Sequence, residues 1–64
     1  MRSLVKVRLA EARRTALSLS REIGVSRNTV GKWCTDRGIA GMTLRRAEQV
    51  ALALGCRVSD LYEE

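Results

Sequence analysis

The chain has 64 residues, 45% of them hydrophobic and 30% charged, with a formal net charge of +5 and no proline. At that length it forms one domain and buries only about 60% of its unfolded surface, too thin a core to shape a catalytic pocket. It has no histidine, no cysteine–base pair and no phosphate-cradling glycine loop, so enzymatic chemistry lacks candidate residues and the basic surplus points to a polyanionic partner.

Ten of the twelve cations are arginine. The guanidinium fork matches phosphates and guanine edges, which favours nucleic acid over an anionic membrane surface. The opening "MRSLVKVR" is broken by charge at once. It reads as neither a signal peptide nor a membrane span, and a cytoplasmic location is expected. Val5, Val7 and Leu9 alternate with Lys6 and Arg8 as in a strand, while Val5, Leu9 and Ala12 also share one face of a helix. The helix formers of "RLAEARR" favour a first helix over 3–13, with Arg13 and Arg14 in its last turn.

Thr15 can cap a second helix whose inner face is Ala16, Leu19, Ser20 and Ile23, and Gly24 stops it. Val25 plugs the turn. Ser26 caps a third helix over 26–33, with Thr29, Val30 and Trp33 inward and Arg27, Asn28, Gly31 and Lys32 outward. "CTDRGIAG" reads as a loop. Cys34 and Cys56 lie in no metal-binding spacing and are expected as free thiols, so neither metal nor cofactor is expected. Thr43 caps a fourth helix with Leu44, Ala47, Val50, Ala51 and Leu54 as its core stripe and Gly55 at its end. Within it, Leu52 and Ala53 have no inward role. A last short helical turn, "DLYEE", starts from Ser59 and lets Leu61 close the core.

Two short helices joined by a tight turn at Gly24 make a helix-turn-helix whose second member can enter a major groove. Its outward side chains suit base edges: Arg27 and Lys32 for guanine, Asn28 for adenine. Gly31, without a side chain, either lets the helix backbone come close to the bases or is simply tolerated on an exposed face. Trp33 lies on the apolar stripe with Val30 and is expected to pack in the core rather than stack on a base.

Residues 15–33, "TALSLSREIGVSRNTVGKW", resemble the helix-turn-helix of the Cro/C1-type (XRE-like) bacterial and phage regulators. "MTLRRAEQVALALGCRVSDLYE" is similar to the segment that follows it in that family. The resemblance implies an all-α, lambda-repressor-like DNA-binding domain over residues 1–64, a compact bundle of four to five short helices. It implies a sequence-specific transcriptional regulator, taken as a repressor, on double-stranded DNA. Base contacts are then expected from Arg27, Asn28 and Lys32, and backbone contacts from Arg14, Ser26, Thr29, Arg37, Arg45 and Arg46. Such domains pair on two half-sites, so a homodimer through Leu52, Ala53 and Tyr62 on a palindromic operator is expected, with no membrane or small-molecule partner.

The chain departs from the family pattern in three places. Ala16 stands where a glutamine is usual, the glycine ending the first helix is absent, and the loop before the fourth helix is long. Two other readings compete with the regulator. One is a protein-interaction module such as an antitoxin or antirepressor; the other is the DNA-binding part of a transposase or recombinase, which the continuation from Thr43 to Tyr62 argues against.

Overall fold

Four hydroxyl side chains set the helix starts in the computed structural model, which describes all 64 residues. Thr15, Ser26, Thr35 and Thr43 each accept a hydrogen bond from the backbone N–H three residues on, at 3.0, 3.1, 3.0 and 3.2 Å. Each satisfies one donor that the first helical turn would leave unpaired. The helices they open are α2 (Ala16–Ile23), α3 (Arg27–Trp33), α4 (Asp36–Ala40) and α5 (Leu44–Leu54). Before them comes α1 (Val5–Glu11), and after them a 3-10 helix, Val58–Leu61. The ends are tied by two strands, β1 (Arg2–Ser3) and β2 (Tyr62–Glu63), antiparallel with Arg2 opposite Glu63 and Ser3 opposite Tyr62. The fold is all-α apart from this short ladder.

The core draws on every part of the chain. Val5, Leu19, Val30 and Val50 are wholly buried and Leu61 nearly so, which places one such residue from each of α1, α2, α3, α5 and the 3-10 helix at its centre. Val25 packs against this cluster from the turn, as the sequence suggests. Ser20 is the sole buried polar residue, and its hydroxyl donates to the Leu17 carbonyl at 2.7 Å. Gly24 has φ +76°, a left-handed conformation that β-branched residues resist, and its N–H and that of Val25 both reach the Ser20 carbonyl. The turn between α2 and α3 therefore rests on glycine.

The structure corrects five sequence expectations. The first helix covers 5–11, not 3–13, because Arg2 and Ser3 pair with the chain end. The strand reading of Val5, Val7 and Leu9 fails, since all three lie in α1. Arg13 and Arg14 lie beyond α1 rather than in its last turn. Ala12 is the cap, Arg13 has φ +55°, and the Arg14 N–H closes back on the Leu9 carbonyl at 2.9 Å. Arg13 fills the left-handed position that Gly24 and Gly55 occupy after α2 and α5.

The stretch 34–41 is not a loop but contains α4, capped by Thr35 with Asp36 in its first turn. Leu44 is not in the core. As the first residue of α5 it sits at the rim, 67% exposed, and the buried stripe begins at Ala47. The last helical turn starts at Val58 rather than Ser59 and ends at Leu61, so Tyr62 belongs to a strand and not to a helix.

Cys34 and Cys56 are free and half-buried. Burial pushes both thiols above their ordinary range; Lys6 opposes the rise at Cys34, while at Cys56 Asp60 adds to it and Arg8 opposes it. Raised thiols stay protonated and unreactive at neutral pH. No helix is long and apolar enough to cross a membrane.

Candidate nucleic-acid interface

Helix α3 is held on its inner side by Val30 and Trp33, 0% and 7% exposed. With 100° between successive residues, that anchor turns Arg27, Gly31, Asn28 and Lys32 outward, and all four are exposed. Gly31 lies between Arg27 and Asn28 around the helix, and a Cβ placed on it would meet nothing within 4 Å. No intramolecular packing accounts for a glycine at that point. At the start of α3, the Ser26 and Thr29 hydroxyls are bonded to each other at 2.9 Å, with Ser26 exposed and Thr29 half-buried.

The far end of α3 is clamped by its neighbours. The Lys32 carbonyl accepts from the Thr35 hydroxyl at 2.6 Å and from the Thr35 N–H at 3.1 Å. The Trp33 carbonyl accepts from the Ser3 hydroxyl at 2.5 Å. Asp36 fixes Ser3 in turn, accepting its N–H at 2.9 Å. Carbonyls that a helix C-terminus leaves orphaned are thereby satisfied, and α3 presents its outer face on a fixed mount.

At the start of α5, Thr43, Arg45, Arg46 and Gln49 line a recess of polar residues. Arg45 is exposed; Arg46 is half-buried and donates to Gln49 Oε1 at 2.8 Å. Arg37 stands exposed on α4. The charge pattern sharpens the picture. Three ion pairs occur, Arg2–Glu63, Arg8–Glu11 and Arg14–Glu22, and none involves a cation of α3, α4 or α5. Arg27, Lys32, Arg37, Arg45 and Arg46 thus carry positive charge with no counter-ion inside the chain.

Not every expected residue joins this surface in the same way. Arg14 has its guanidinium engaged internally: Nε donates to the Ser18 hydroxyl at 3.1 Å, Nη1 to the Ala53 carbonyl at 3.3 Å and Nη2 to Glu22 at 2.5 Å. Leu52 is the most exposed large apolar side chain, at 84%, and lies two turns along α5 from Arg45 on the same side. Ala53 is half-buried beside it. Tyr62 is half-buried and lines an apolar recess with Met1, Met42, Leu44 and Val58. Sequence reasoning did not find the Ser3–Asp36 clamp, Gln49, or the role of Gly38 in seating α4. Only Thr35-Asp36, a hydroxyl followed by an acid as at a helix start, offered a signal.

A profile of Cro/C1-type HTH DNA-binding domains matches residues 5–63. A search of curated proteins finds no match, and neither does a search of solved structures.

Proposed function

The chain belongs to the family of Cro/C1-type helix-turn-helix DNA-binding domains, and on that footing we propose that it is a sequence-specific transcriptional repressor. The observation that carries this reading is the outer face of α3: Arg27, Asn28 and Lys32 exposed around a bare glycine, with no acid paired to them. In this reading α3 enters the major groove, where Arg27 and Lys32 take guanine edges and Asn28 an adenine edge. Ser26, Thr29, Arg37, Arg45 and Arg46 hold the flanking phosphates and set the register. Residues 1–64 act as one DNA-binding domain in the cytoplasm, without cofactor, small ligand or catalysis.

Selection from a randomised duplex pool tests the reading directly. The wild type enriches a defined site, and Arg27→Ala or Asn28→Ala then loses about 1–3 kcal/mol of discrimination at one base position. Arg45→Ala weakens binding to all sequences alike and flattens the salt dependence. Equal loss on selected and random DNA from Arg27→Ala would remove α3 from the groove.

A homodimer completes the proposal, since one seven-residue helix covers few base pairs and paired domains reach half-sites about 34 Å apart. The apolar group offered for it is Leu52 with Ala53, Tyr62 contributing from the chain end. Leu52→Glu is expected to shift sedimentation toward monomer while helical circular dichroism stays intact. A wild type that sediments as monomer, both free and on its selected site, counts against the dimer.

A further inference from the structure

Helix α3 does not end as α2 and α5 do. Those two stop on glycines in the left-handed conformation, Gly24 and Gly55, whose amides return to carbonyls of the last turn. Helix α3 has no such stop. Its cap is Cys34, with an ordinary helical φ of −78°, and the Cys34 and Thr35 amides reach only three residues back, to the Gly31 and Lys32 carbonyls. The turn is also weak in itself, because Gly31 lies within it and a helical glycine costs about 1 kcal/mol against alanine.

What holds this turn comes from the start of the chain. The Ser3 hydroxyl, 30 residues away in sequence, donates to the Trp33 carbonyl at 2.5 Å. Ser3 is itself held twice, by its amide on Asp36 Oδ1 at 2.9 Å and by its pairing with Tyr62 across the ladder. Among the side chains proposed to read bases, Lys32 alone lies in this last turn. Arg27 and Asn28 lie in the first, behind the Ser26 cap.

Resting on the DNA-binding reading, we infer that Ser3 is a positioning residue for base reading: through the Trp33 carbonyl it sets the Lys32 end of α3 in the groove. A lysine meets a guanine edge as a point charge on a flexible stem, so its discrimination depends on where its backbone stands. Loss of the Ser3 hydroxyl leaves the first turn in place and lets the last turn drift. One base position is blurred and the others are spared. The junction of the two chain ends thereby takes part in specificity.

The test maps base preference position by position on the site that the wild type selects. The Lys32 position is the base pair whose preference Lys32→Ala abolishes. Ser3→Ala is expected to keep wild-type helical circular dichroism and to cut the preference at that base pair roughly three- to tenfold. The preferences that Arg27→Ala and Asn28→Ala abolish stay intact, as do the affinity for random duplex and its salt slope. Ser3→Thr keeps the hydroxyl and restores the preference. In a Lys32→Ala background, Ser3→Ala no longer changes affinity for the selected site. Leu9→Val, a mild core truncation in α1, controls for lost stability alone. Wild-type preference in Ser3→Ala, or a loss spread evenly over all positions as in Leu9→Val, overturns the positioning role. So does a Ser3→Thr that restores nothing, an effect undiminished in the Lys32→Ala background, or a Ser3→Ala chain that loses its helices. A wild type that selects no site, or a Lys32→Ala that abolishes no preference, overturns the base-reading assignment as well.

Discussion

Gly38→Ala lowers the melting temperature by about 12 °C or more, whereas Gly31→Ala raises it. Both glycines lie in helices, and replacing a helical glycine with alanine ordinarily stabilises by up to about 1 kcal/mol. The surroundings reverse the sign at one of them. A Cβ on Gly38 would sit 1.7 Å from the Lys32 carbonyl oxygen and 2.5 Å from its carbon, and neither backbone atom can swing aside. Helix α4 must back away from α3, which breaks the Thr35 bonds to Lys32 and Gly38. Overpacking of this severity costs about 3 kcal/mol, and each kcal/mol moves Tm by about 4–8 °C in a domain of this size. At Gly31 the added methyl meets nothing within 4 Å, so only the gain in helix propensity remains. Thermal unfolding of the two variants beside the wild type decides the matter. A Gly38→Ala protein melting within 2 °C of the wild type would show that α4 is not seated on α3 as described.

Trp33→Ala is expected to leave little folded protein at 25 °C. Trp33 is 7% exposed and forms the inner face of α3 with Val30. Truncating a buried tryptophan costs about 3–5 kcal/mol. A chain of this length has a total stability of only about 3–10 kcal/mol. Far-ultraviolet circular dichroism reads the loss of helix. Trp33→Phe separates packing from stacking on a base. If the ring is a core element, the phenylalanine variant folds, melts somewhat lower and binds the selected site with wild-type affinity. A Trp33→Ala protein that stays fully helical but loses DNA binding would place the indole at the interface instead.

What the sequence made legible follows the reach of its signals. The helix-turn-helix was readable because its determinants are local: Thr15 and Ser26 cap, Gly24 turns, and Leu19, Val30 and Trp33 fall at helical spacing. The outer face of α3 followed from the same periodicity. Helix α4 escaped because its five residues include a glycine, which reads as loop punctuation. What requires that glycine is a contact with the Lys32 carbonyl, invisible to propensity. Leu44 was placed in the core because helical spacing groups it with Ala51, but periodicity does not show where the partner surface stops. The ladder between Arg2–Ser3 and Tyr62–Glu63 joins residues with almost the whole chain between them, and two-residue strands leave no alternation to detect. For the candidate site, charge and exposure could be expected, but not which arginine is tied down. Arg13 and Arg14 are equivalent on paper and opposite in the fold.

The closure of the two chain ends also bears on the order of events in time. Contacts between α2 and α3 span few residues and can form within microseconds, whereas pairing Arg2 with Glu63 must close nearly the full chain into a loop. The ladder therefore zips last, and being short and exposed it is the first part to open under native conditions. Ser3 sits in it, and through Ser3 the ladder touches the Trp33 carbonyl. Each fraying of the ends releases one restraint on the last turn of α3, so the hydrogen-bonded amides of that turn exchange sooner when the ladder opens than they would with the ends held.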